Sequence, residues 1–145
     1  MTVPERPPLP ADAEFEVGSA ILLHALHCMP VEGPEGVLHS HDYRIEVVVS
    51  RRGLDDRGMV CDLDVLNAVL AKIHRDLEGK DLEIIRPQWA EAVTVEVFAR
   101  WLHETVGEAI RASGADFLSV RVWESDSEFG GFRASLNRGH AAGAR

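Results

Sequence analysis

Apolar and polar positions alternate early in the chain, change to three- and four-residue steps in the middle, and alternate again near the end. Phe15, Val17, Ser19 and Ile21 open the first alternation, which predicts a strand over 15–27. Pro30, Gly33, Pro34 and Gly36 then mark residues 28–38 as a loop. A second strand is predicted over 41–52, where Ile45 to Val49 is rich in β-branched residues. The polar stretch from Arg51 to Gly58 reads as a turn. Leu63, Leu66, Val69, Leu70, Ile73 and Leu77 recur at helical spacing on one face. Asp62 or Asp64 can cap this helix, and Gly79 stands where it should stop. A connector follows over 81–87. A second helix is predicted over 94–112, capped by Thr94, with Val97, Phe98, Trp101, Leu102, Val106 and Ile110 inward and Ser113-Gly114 at its end. Phe117 to Trp123 alternates as a third strand, and Glu128 to Leu136, with Gly130-Gly131, is a fourth.

The order ββααββ predicts an α+β domain: a four-stranded antiparallel sheet with both helices on one face. The other face and both sheet edges then need cover. Association of several copies supplies it, so an oligomer is expected.

The length of 145 residues suits one domain, and 46% hydrophobic residues suffice for its core. The block is expected over 14–136, between a mobile N-terminal tail, 1–13, with four of the seven prolines, and a C-terminal tail, 137–145. A net charge of −9 argues against nucleic acid and anionic membranes as partners. No apolar run reaches the about eighteen residues of a membrane helix, and the first residues lack a signal core, so a cytoplasmic location is expected. Cys28 and Cys61 read as free thiols.

His39 and His41 are two apart on an extended run and so project to one side. His24 lies on the preceding strand, which a hairpin would bring alongside. Three imidazoles with an open fourth position are the pattern of a catalytic zinc. His24, His39 and His41 are therefore the expected ligands. His27 reads as a loop neighbour able to exchange with His24. His74, His103 and His140 read as surface residues.

With these motifs in place, the chain resembles the 6-pyruvoyl-tetrahydropterin synthase / 6-carboxy-tetrahydropterin synthase family, of the tunnelling fold. Ala20-Ile21-Leu22-Leu23-His24-Ala25-Leu26 is similar to the family's Phe-x-Ala-Ala-His-x-Leu strand, and Leu38-His39-Ser40-His41-Asp42-Tyr43 to its Leu-His-Gly-His-x-Tyr segment. Gly58-Met59-Val60-Cys61-Asp62-Leu63, Val93-Thr94-Val95-Glu96-Val97 and Val122-Trp123-Glu124-Ser125 match three further motifs, in order, over about 14–136. Two departures stand out. Glu35 occupies the position of the family's cysteine, and Glu78-Gly79 replace its Asp-His pair.

The resemblance implies trimers that close a β-barrel and stack as hexamers, with sites between subunits. It implies a zinc that holds the side-chain hydroxyls of a pterin, a small-molecule substrate. Glu124 would anchor the pterin ring, Thr94 and Val95 would grip it, and Glu35 would be the catalytic base. The implied function is a zinc-dependent synthase-like lyase acting on the C6 side chain of a dihydropterin. Retro-aldol cleavage of 7,8-dihydroneopterin triphosphate to 6-hydroxymethyl-dihydropterin is its sharpest form. The alternative is a zinc and pterin binding homologue without synthase activity.

Overall fold

The computed structural model describes residues 2–136; the expected C-terminal tail and His140 lie outside them. Strand β1, Phe15–His27, pairs antiparallel with β2, His39–Arg51, in unbroken register from Phe15↔Arg51 to His27↔His39. Strand β3, Phe117–Trp123, adds to β2, and β4, Phe129–Ser135, adds to β3, giving the sheet order β1-β2-β3-β4. Helices α1, Leu63–Leu77, and α2, Val95–Ile110, connect the two hairpins. β2 starts two residues earlier than its alternation suggested, because pairing with β1 runs to the end of that strand.

The two predicted periodicities meet in one core. Leu23, Ala25, Tyr43, Ile45, Val47 and Val49 face inward from the first hairpin, and Leu118, Val120 and Val122 from β3. Leu66, Leu70, Ile73 and Leu77 of α1 and Phe98, Leu102, Val106 and Ile110 of α2 cover them. The Asp62 carboxylate accepts from the Asp64 amide to start α1, and Thr94 Oγ1 accepts from the Val97 amide at 3.1 Å to start α2. No helix among the described residues is long and apolar enough to cross a membrane.

The start of α2 is packed tightly against β4. A Cβ on Gly130 would sit 2.5 Å from Val95 Cγ2 and 3.3 Å from the Glu96 amide nitrogen. Gly130→Ala is expected to destabilise by about 1–3 kcal/mol through overpacking. A thermal melt checks this; an unchanged midpoint would show that β4 can withdraw from α2.

His103 is not a surface residue. It is 8% exposed, its Nε2–H donates to the Ala134 carbonyl at 3.2 Å, and its ring stands edge-on to Phe132. Burial lowers its pKa, against the pull of the Ala134 and Leu118 carbonyls. The unfolded chain therefore takes up this proton more readily than the folded one. Stability tied to His103 is complete above the ordinary imidazole pKa, about 6.5, and is lost as pH falls through the lowered value. In chelator-treated protein, the fall in melting midpoint between pH 7.5 and pH 5 is expected to shrink in His103→Gln. An equal fall in both proteins would remove His103 from the acid response.

Candidate metal centre

At the end of the β1–β2 hairpin the inward positions change from aliphatic residues and Tyr43 to imidazoles. The core face of β1 carries Leu23, Ala25 and His27, and that of β2 carries Tyr43, His41 and His39. His27 pairs directly with His39 across the ladder. Ring centroids are 4.6 Å apart for His27–His39, 5.0 Å for His27–His41 and 4.9 Å for His39–His41. Tyr43 forms the floor, 5.5 Å from the His41 ring.

Backbone carbonyls decide two tautomers, since a carbonyl can only accept. His27 Nδ1–H donates to Val93 O at 3.0 Å, and His39 Nδ1–H donates to Val37 O at 2.7 Å. The Nε2 lone pairs of both rings are thereby turned inward, as carbonyl partners do for metal-bound histidines. His27 is 4% exposed, and its Nε2 is buried with no hydrogen-bond partner. His39 Nε2 lies 3.1 Å from His41 Nε2 and 3.3 Å from a carboxylate oxygen of Glu35. One ligand atom from each of His27, Glu35, His39 and His41 lies within 4.8 Å of all the others.

Lone pairs and a carboxylate directed at one point repel unless something positive sits among them. A single shared proton could join His39 to His41, but it cannot also serve His27 and Glu35. Three imidazole nitrogens and a carboxylate are together a donor set that can hold a divalent cation. Burial pushes the His41 imidazole below its usual pKa, helped by His27 and His39 and opposed by Glu124 and Glu35. His41 is thus neutral at neutral pH, as a metal ligand must be. Burial, with Glu124 and Glu35, raises the Tyr43 phenol, which stays protonated.

The ligand set expected from the sequence needs one correction. His24 occupies an even position of β1 and projects to the opposite face from His27. Its Nδ1 is 2.7 Å from Asp42 Oδ1, its cross-strand partner, and its side chain is 47% exposed. His24 therefore cannot converge with His39 and His41, and His27 stands in its place. The signal was available: continuing Phe15, Val17, Ser19, Ile21 in steps of two reaches His27 and passes over His24.

Glu124 follows the last residue of β3, in the turn that its amide closes onto Glu128 O at 3.1 Å. Its carboxylate lies 3.8 Å from His41 Nε2, beside the ligand group but outside it. Thr94 and Val95 begin α2 directly after Val93, whose carbonyl holds His27. Glu78 is engaged elsewhere, accepting from the His24 amide at 3.0 Å and lying 3.2 Å from His74 Nε2.

An antiparallel sheet with two helices on one face and a histidine–carboxylate cluster at the end of its long hairpin defines an α+β domain of the tunnelling-fold class. The chain belongs to the 6-pyruvoyl tetrahydropterin synthase family, whose sequence model matches residues 16–135. An Archaeoglobus fulgidus protein named "Putative 6-carboxy-5,6,7,8-tetrahydropterin synthase" is 24% identical over 126 residues, which is 84% of this chain and 98% of that one. The 6-pyruvoyl tetrahydropterin synthase of Plasmodium falciparum superimposes with a TM-score of 0.71 at 14% identity, covering 86% of this chain and 99% of its own. A Plasmodium vivax synthase superimposes at 0.63 and 15% identity, covering 85% of this chain and 98% of its own; it has a glutamate replaced by alanine and is described as a catalytic residue mutant.

Proposed function

We propose that the protein is a zinc-dependent lyase acting on the C6 side chain of a dihydropterin. His27, His39 and His41 hold the metal, Glu124 anchors the ring and Glu35 is the base. The observation that carries this reading is the convergence of an unpartnered, buried His27 Nε2 with two further imidazole nitrogens and a carboxylate. Zinc held by three imidazoles acidifies a hydroxyl, or polarises a carbonyl, that reaches its remaining position.

The chain supplies the rest. The Glu124 carboxylate accepts from a ring N–H and from the exocyclic amine of the pterin. That places the C6 side chain toward the histidines. Thr94 and Val95, at the head of α2, flank the ring. Glu35 takes the proton of the C2′ hydroxyl. The C1′–C2′ bond then breaks, leaving an aldehyde on the departing fragment. C1′ takes up a proton and remains on the ring as a hydroxymethyl group. The glutamate mutant of the P. vivax enzyme supports a carboxylate in such a role. Assembly as a trimer or hexamer belongs to the same proposal, supported by the uncovered sheet face and the edge strands β1 and β4.

The placement of Glu78 favours a second reading. It stands where the family has the aspartate of its Asp-His pair, and here it is bound to His24 and His74. A zinc and pterin binding homologue without turnover fits that loss. Incubation of zinc-loaded protein with 7,8-dihydroneopterin triphosphate, followed by product mass, separates the two. The lyase gives 6-hydroxymethyl-dihydropterin; binding of neopterin with no product leaves the second reading.

A further inference from the structure

We infer that in the substrate-free protein Glu35 is the fourth ligand of the metal, and that it leaves when the substrate's hydroxyls arrive. The inference rests on the three-histidine reading above and adds a resting state to it. A tetrahedral zinc with bonds of about 2.0–2.1 Å sets its ligand atoms roughly 3.3 Å apart. Glu35 Oε2 is 3.3 Å from His39 Nε2, and His39 Nε2 is 3.1 Å from His41 Nε2. Both separations match that spacing, and the carboxylate oxygen lies within 4.8 Å of all three imidazole ligand atoms, close enough to complete a four-ligand set. Glu124, at 3.8 Å from His41, stays outside the four-atom group and is free for the ring.

The loop between β1 and β2 is shaped to present this carboxylate. Pro34–Gly36 forms a single 3₁₀ turn, and the Met29 amide donates to Glu35 O at 2.7 Å. Gly36 packs onto the loop so closely that a Cβ there would lie 1.9 Å from Val31 O. The backbone of Glu35 is held on both sides, while its side chain is 62% exposed and able to swing. Among the described residues no lysine or arginine forms an ion pair with it, and its one side-chain partner there is His39, a member of the same histidine group. A carboxylate on a fixed backbone with a free side chain can close the metal at rest. Displaced, it lies beside the incoming hydroxyls, where the proposed base must be.

The test compares wild type with Glu35→Gln and Glu35→Ala, using metal affinity and the visible spectrum of cobalt(II)-substituted protein. Loss of an outer-sphere partner alone weakens metal binding 10- to 100-fold, so loss of a direct ligand is expected to raise the zinc Kd at least tenfold. The resting cobalt(II) bands are expected to differ between wild type and both variants. Saturating neopterin is expected to bring all three spectra together, because Glu35 is then off the metal in each. A thermal melt confirms that the variants are folded. Equal zinc Kd and identical resting spectra would overturn the fourth-ligand role while leaving the three histidines in place. Failure of wild type to bind cobalt(II) would overturn the metal reading itself.

Discussion

Replacing His27 by alanine is expected to abolish the proposed zinc binding, whereas His24→Ala is expected to leave it intact. Both are β1 histidines three residues apart, yet the pleat sends them to opposite faces. His27 Nε2 is buried among the other ligand atoms, and its ring is held by Val93 O. Loss of an outer-sphere partner alone weakens metal binding about 10- to 100-fold, so loss of a direct imidazole ligand is expected to raise the zinc Kd by more than about tenfold. His24 forms only an exposed pair with Asp42, of a kind that contributes about 0–1 kcal/mol to stability and nothing to the metal. Chelator competition on the two variants gives the comparison. Loss of zinc from His24→Ala, with His27→Ala unaffected, would reverse the assignment.

The second large effect is expected at Glu124. Glu124→Ala removes both acceptors proposed to grip the pterin ring. Charge-assisted hydrogen bonds contribute about 1.5–3 kcal/mol each. Because the side chain is partly exposed, the lower figure applies. Two such bonds then amount to about 3 kcal/mol, roughly a hundredfold rise in the Kd for neopterin. Zinc content should not change, since Glu124 lies outside the ligand group. Glu124→Gln, which keeps one acceptor and turns the other arm into a donor, is expected to fall between. Isothermal titration with neopterin reads both variants, and an unchanged Kd for Glu124→Ala would place the ring elsewhere.

The element order and the core were legible because each element obeyed one period. Leu66, Leu70, Ile73 and Leu77 gave α1, and Phe98, Leu102, Val106 and Ile110 gave α2, from spacing alone. His39 and His41 were legible for the same reason, lying two apart on a strand that alternates. His24 was expected beside them because a hairpin brings the two strands together, but adjacency of strands does not fix which face a residue takes, and the pleat turns His24 away. The even–odd rule, applied to the same strand, selects His27. His103 was missed for a different reason: its helix position is buried only because β4 lies against α2, a tertiary contact that no local pattern encodes. The nearness of Glu35 to His39 depends on how a proline- and glycine-rich loop folds back on itself. Its i, i+4 spacing hints at that contact but does not require it.

The nitrogens that meet at the metal distinguish His27 from His24 as the β1 ligand. Anomalous diffraction at the zinc edge, from crystals grown without chelator, examines this directly. One peak is expected, about 2.0–2.1 Å from the Nε2 atoms of His27, His39 and His41, with none beside His24. A peak bonded to His24, or no peak between β1 and β2, would contradict it.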